Sequence, residues 1–309
     1  MIFTRPELQS IRDAIPQAAG VSLQMLRLDL LHPQLSGNKW YKLRLNLQAA
    51  KEKGHDTVLS FGGAYSNHLH ALAAAGRIRG LKTIGVVRGE PAEPINATLT
   101  FARQQGMELY HVTRADYRSK NSPAFIACLR ERFGDFFLIP EGGANVAGVQ
   151  GCADIAELLN WSTPVAASSC PSERVVALAC GTGTTLAGLL LGRREDYRIL
   201  GVAALKGDFL ENDVRTALHN CGVADPGNWR ITQEWHGGGY ARFSPELLGF
   251  IRGFQQRTGI PLEPVYTGKL MQGLYRMLER GEFPRGTEII AIHTGGLQAS
   301  PAFVENIPT

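Results

Sequence analysis

Short apolar runs alternate with amphipathic stretches along most of the chain. The runs at 57–61, 83–87, 108–112, 136–139, 175–179, 199–203 and 288–292 are brief and rich in Val, Ile and Leu. That is the character of parallel strands covered on both faces. Between them, stretches 39–53, 67–79 and 185–191 have helical spacing and run into Gly54, Gly80 and Gly192. A glycine there suits the left-handed conformation that closes a helix. Strand–helix alternation of this kind predicts open α/β sheets with right-handed crossovers, and a ligand site beyond the carboxyl ends of the strands. Two stretches break the rhythm. Residues 160–174, with two prolines and five Ser/Thr, predict an exposed loop. Residues 219–243 are rich in Gly, Trp and His.

Composition narrows the picture. A chain of 309 residues, 44% hydrophobic and 19% charged, suits a globular protein of two domains. Its 32 basic and 28 acidic residues leave a charge of only +4, and no Lys/Arg block occurs, so neither nucleic acid nor membrane is an expected partner. Cys128, Cys152, Cys170, Cys180 and Cys221 are odd in number and form no Cys-x-x-Cys. Reduced thiols are therefore expected, and no zinc site. The first six residues lack a signal peptide's apolar segment and no apolar run could span a bilayer, so a cytoplasmic location is expected.

Four segments carry candidate chemistry. Ser36-Gly37-Asn38-Lys39 opens a helix with Lys39 in its first turn and Lys42 one turn on, on the same face. The positive end of a helix disfavours an ammonium, and a second lysine disfavours it further. Such an amine is a nucleophile toward carbonyls. Alone, the pair is more simply read as a solvated basic face, and it gains force only from the segments that follow. Ser66-Asn67-His68 follows a strand and two glycines, and opens a helix where backbone N–H groups could hold a carboxylate; it could also be an ordinary cap. Gly181-Thr182-Gly183-Thr184-Thr185 is a glycine-rich turn into a helix and suits a monophosphate. Leu186 stands where a dinucleotide fingerprint needs its third glycine, and no Gly-Lys-Ser/Thr follows. The fourth segment pairs Val265-Tyr266-Thr267-Gly268-Lys269 with His293-Thr294-Gly295-Gly296, the latter closing the last strand. The histidines show no metal spacing and no Gly-x-Ser-x-Gly elbow occurs.

In this order, and with Pro140-Glu141-Gly142-Gly143-Ala144-Asn145 between them, these motifs resemble the fold-type II pyridoxal-phosphate (PLP) enzymes. Within that group the likeness is to the 1-aminocyclopropane-1-carboxylate (ACC) deaminase/D-cysteine desulfhydrase family, over residues 30 to 296. The resemblance implies two open, twisted parallel-sheet α/β domains with helices on both faces and the active site in the cleft between them. The smaller would be 44–150, and the larger 1–43 with 151–309. Lys39 matches the lysine that forms the Schiff base with PLP, and Lys42 a phosphate-side lysine. Asn67 matches the asparagine beside the cofactor's 3′-oxygen, and 181–185 the phosphate loop. Ser66 and His68 match the substrate-carboxylate and proton-transfer region; Tyr266 and Tyr240 match tyrosines facing the substrate. A homodimer is implied as well.

Within the family, ACC deaminases carry Glu after the tyrosine and Leu after the final-strand histidine, whereas desulfhydrases carry Thr at both. Here they are Thr267 and Thr294. A carboxylate at the pyridine nitrogen strengthens the ring as an electron sink, and a hydroxyl cannot do so by charge. The pattern therefore implies α,β-elimination from a small amino acid, D-cysteine giving pyruvate, ammonia and hydrogen sulfide. ACC deamination or another deaminase or racemase activity is the alternative, and a non-catalytic phosphoryl-ligand binder the remoter one. Trp40, Tyr41 and His70 depart from the family pattern beside substrate-side elements.

Overall fold

The computed structural model describes residues 3–159, 173–193 and 197–299, so all but the last two residues of the predicted 160–174 loop lie outside the described residues. Ten strands occur among the described residues. β1 (Leu8–Ser10), β2 (Ser22–Arg27), β3 (Thr57–Gly63), β4 (Lys82–Arg88) and β5 (Met107–Val112) come first. β6 (Phe137–Leu138), β7 (Arg174–Cys180), β8 (Arg198–Ala203), β9 (Trp229–Thr232) and β10 (Glu288–His293) follow. They form a six-stranded sheet in the order β1-β2-β10-β7-β8-β9 and a four-stranded sheet in the order β5-β4-β3-β6. Every pairing is parallel except β1 with β2.

All seven predicted runs are strands. β1, β2 and β9 are not among the predicted runs. β1 and β9 are edge strands of three and four residues, and β2 opens with polar residues at alternate positions, Ser22 and Gln24. The central strands are buried on both faces. In β7, Val175, Ala177 and Ala179 pack toward one layer and Val176, Leu178 and Cys180 toward the other. In β3, Val58 and the pair Leu59 and Phe61 divide in the same way. This is the period-two sorting that a strand imposes.

The helices Asn38–Glu52 and Asn67–Arg79 form as predicted, with Gly54 and Gly80 left-handed just beyond them. The third differs. Helix Thr184–Gly192 contains Gly192 instead of stopping before it. A Cβ at Gly192 would collide with the Ala153 carbonyl, so close approach, and not capping, requires glycine. The same holds at Gly188 against Cys152 and at Gly151 against the Tyr41 carbonyl. Helices Asn38–Glu52, Val146–Ala153 and Thr184–Gly192 thus meet almost backbone to backbone.

Gly188→Ala should destabilise the protein by about 1–3 kcal/mol through overpacking. Gly249, exposed inside helix Pro245–Thr258 with no atom within 4 Å of an added Cβ, takes the same substitution with the opposite sign. Gly249→Ala should stabilise by about 0.5–1 kcal/mol. Urea midpoints of the two variants check both signs.

Candidate active site

The carboxyl ends of both sheets face one cleft. Adjacent strands β7 and β10 deliver the 181–185 turn and Thr294, while β3 and β4 deliver Gly63 and Arg88 from the other side. The inner cavity has a volume of about 470 Å³, within the usual range for small-molecule sites. Its wall holds Lys39, Lys42, Ser66, Asn67, His68, Gly181, Thr182, Gly183, Thr185, Tyr240, Tyr266 and Thr294. Two predicted residues lie behind it. Thr184 is buried with its hydroxyl 2.9 Å from that of Thr182. Thr267 is fully buried and its hydroxyl lies 3.1 Å from Glu263 Oε1.

The lysines come first. Gly37 has φ +71 and sits so close to Thr294 that a Cβ would strike its carbonyl. This locks the start of helix Asn38–Glu52 against the end of β10. Asn38 then reaches both ways, donating to Thr185 Oγ1 at 2.8 Å and accepting from Lys39 Nζ at 2.8 Å. Burial, and then the charge of Lys42, lowers the Lys39 pKa to about 7. Burial lowers Lys42 as well, and its Nζ donates to Thr182 Oγ1 at 3.2 Å. Lys42 therefore joins its helix to the 181–185 turn.

That turn heads helix Thr184–Gly192. Gly183 is the left-handed cap residue, and no side chain caps the helix. The first N–H groups of a helix have no partner within it, so the turn is open to an anion. Opposite, Ser66 caps helix Asn67–Arg79 by accepting from Leu69 N at 3.2 Å, the capping role weighed from the sequence. Asn67 Oδ1 accepts from Gln298 and so ties that helix to the segment beyond β10. His68 Nε2 lies 2.9 Å from Ser60 Oγ, which donates to the Ile139 carbonyl at 2.8 Å, so Nε2 carries the proton. Burial, with Lys39 and Lys42, depresses the His68 pKa to about 3. Its Nδ1 is a buried acceptor with no partner among the described residues. An uncapped anion turn, a free amine and an unused buried acceptor fit a phosphorylated, carbonyl-bearing group.

Several contributors escape sequence reasoning. Glu263 is buried and accepts from the N–H groups of Val265 at 2.7 Å, Tyr266 at 2.9 Å and Thr267 at 2.6 Å. It thereby caps helix Thr267–Glu279 from four residues upstream and fixes Tyr266. Burial still pushes its carboxyl above the ordinary range. Lys269 Nζ donates to the Gly239 carbonyl at 2.7 Å and steadies the turn that carries Tyr240. The Tyr240 and Tyr266 rings stand edge to face with centroids 6.2 Å apart. The 265–269 motif marks this segment but names neither the partners of Glu263 nor those of Lys269. His293 is a satisfied core residue: Nε2 bonds the Pro261 carbonyl at 2.8 Å and Nδ1 accepts from Gly295 N at 3.2 Å. Trp40, Tyr41 and His70 line no part of the cavity. Tyr41 joins the core, Trp40 packs on Phe3 and His70 stacks on Phe101 at 3.9 Å. Among the described residues no group of three potential ligands could hold a metal, and no helix is long and apolar enough to cross a membrane.

Below pH 7 Lys39 is an ammonium, and above it a free amine. Its condensation with an aldehyde probe should therefore rise with pH through a midpoint near 7 instead of near the ordinary lysine value of 10.5. Lys42→Met removes a like charge and should move that midpoint upward. Rapid-mixing absorbance, with the adduct located by peptide mapping, measures both.

A family model described as pyridoxal-phosphate dependent enzyme matches residues 12–295. A Pyrococcus horikoshii protein, named as a candidate 1-aminocyclopropane-1-carboxylate deaminase, is 30% identical over 93% of this chain and 88% of its own length. The bifunctional D-cysteine desulfhydrase/1-aminocyclopropane-1-carboxylate deaminase of Arabidopsis thaliana is 29% identical over 90% of this chain and 73% of its own. The crystal structure of an ACC deaminase homologue superposes with a TM-score of 0.82 at 28% identity, covering 98% of this chain and 93% of that one. With the family model spanning the cleft and the strands on both sides of it, the chain belongs to the pyridoxal-phosphate-dependent enzymes.

Proposed function

We propose that the protein catalyses α,β-elimination on a small amino acid, D-cysteine being the type substrate. One observation carries this reading. Neither of the two positions that separate the family's activities brings a negative charge to the cavity: Thr294 on its wall is uncharged and Thr267 is turned away toward Glu263. Pyridoxal phosphate, when bound, supplies the electron sink. With no carboxylate from these positions to strengthen that sink, expulsion of a good leaving group such as a thiolate suits the site better than opening a cyclopropane ring. We further take the two sheets as the cores of domains 44–150 and 1–43 with 151–309. By resemblance the protein is a homodimer, and the unpaired thiols of Cys128, Cys152, Cys180 and Cys221 support a cytoplasmic setting.

The chain's own groups divide the work. Lys42, Thr182, Gly183 and Thr185 would hold the phosphate. Lys39 would hold the cofactor and, once released, take the α-proton on Nζ, since an amine near neutrality is matched to that transfer. The open end of helix Asn67–Arg79 would receive the substrate carboxylate. Tyr240 and Tyr266 close the substrate side, and their phenols keep their protons because burial raises both pKa values.

The test is a panel of D- and L-cysteine, D-serine, β-chloro-D-alanine and ACC, scored for keto acid and ammonia. Pyruvate from D-cysteine should exceed 2-oxobutyrate from ACC; the reverse order would put ACC deamination first. Borohydride reduction should leave the pyridoxyl group on Lys39, and finding it on Lys42, Lys206 or Lys269 would overturn the assignment. Thr267→Glu, the obvious exchange toward the ACC pattern, should fail for a structural reason. It sets a second carboxylate against buried Glu263, at a cost of about 3–5 kcal/mol, the scale of an unpaired buried charge. Thermal unfolding of that variant beside Thr294→Leu checks it.

A further inference from the structure

The inner cavity opens into an outer chamber of about 660 Å³. The two share Arg88, Glu141, Tyr240 and Tyr266 on their walls. The chamber's ionisable lining is unbalanced. Arg88, Arg114, Arg118 and Lys120 face it, against Glu141 and Glu263. Lys120 pairs with Glu141 at 3.4 Å, and Glu263 is taken up by the N–H groups of its own loop. The three arginines have no carboxylate or hydrogen-bond partner among the described residues. Arg88 lies at the end of β4, with its guanidinium over the Tyr117 ring at 5.7 Å. Arg114 and Arg118 are one turn apart on helix Arg114–Arg118, so they share a face. Asp116, the acid between them, is held away by Thr113 at 2.7 Å. Cysteine alone would leave this chamber empty and its arginines unused.

We infer that the outer chamber is a subsite for an anion carried on the substrate's β-substituent, so that the preferred substrates are amino acids whose leaving group bears a carboxylate, phosphate or sulfonate. This deepens the proposed elimination and rests on it. Guanidinium forks recognise such oxyanions by charge-assisted hydrogen bonds. Arg88 stands on both walls, where a β-substituent passing from the inner to the outer space must run. With S-carboxymethylcysteine, the α-proton leaves to Lys39 and the Cβ–S bond breaks with its electron pair on sulfur. Water then hydrolyses the released aminoacrylate, and the products are thioglycolate, pyruvate and ammonium.

The experiment compares S-carboxymethylcysteine with its neutral isostere S-carbamoylmethylcysteine, each as both enantiomers, on the holoenzyme, with D-cysteine alongside. The ratio of kcat/KM, carboxylate over carboxamide, should be about tenfold or more at low salt, a preference of about 1.4 kcal/mol. It should shrink as salt rises, because the chamber is open to solvent. Arg88→Gln should bring the ratio near one, and the exposed pair Arg114→Ala/Arg118→Ala should lower it without threatening the fold. A wild-type ratio at or below one overturns the subsite, as does turnover of cysteine with neither analogue accepted. An equal loss for both analogues in Arg88→Gln also overturns it, since Arg88 would then serve the shared α-carboxylate. If no amino acid yields pyruvate, the elimination reading itself fails and the subsite falls with it.

Discussion

Everything in the cleft depends on three helices that touch with almost no side chain between them. Gly151 lies against the Tyr41 carbonyl and Gly188 against Cys152, so helix Val146–Ala153 is clamped between the helix that starts at Asn38 and the helix that starts at Thr184. The first carries Lys39 and Lys42, and the 181–185 turn leads into the last. Backbone contact therefore sets the separation of amine and anion turn, and the 3.2 Å bond from Lys42 to Thr182 spans what remains. Interiors are packed nearly as tightly as crystals, and one added methyl group at such a contact has nowhere to go. Gly37 applies the same constraint at the front, where it wedges against Thr294.

The second consequence is electrostatic. Two lysines sit in one buried space, and the positive ends of two helices point into it. Burial penalises an ammonium here first, repulsion between the two cations adds to it, and the least costly response is for one to lose its proton. Lys39 does so near neutrality, while its neighbour His68 stays neutral throughout the physiological range. The buried acid close by, Glu263, is already satisfied by backbone donors and offers little further relief. The cleft is thus an anion receptor with a free amine at its centre. A phosphate, a carboxylate and a carbonyl each find a complementary group, and the arginines carry the same sign of field out to the mouth.

The sequence by itself determined seven of the ten strands among the described residues, three of the helices and most of the residues that gather at the cleft. Each is local: apolar runs of strand length, a glycine where the chain must turn left, and a lysine or hydroxyl at a helix opening. Parallel sheets then bring such openings together, because every strand ends on the same side. Tertiary structure alone decided the rest. β1, β2 and β9 take their strand character from the partner beside them. Gly192 reads as a helix stop, yet its neighbour Ala153 makes it a packing contact. Thr267 follows a tyrosine that faces the cavity, but Glu263 claims its hydroxyl. Glu263 and Arg88 carry no motif and Lys269 only ends one, for their roles lie in what they meet: a helix end four residues away, a chamber built from distant loops, and a carbonyl 30 residues away. Periodicity records which face of an element is buried; it does not record which neighbour will be found there.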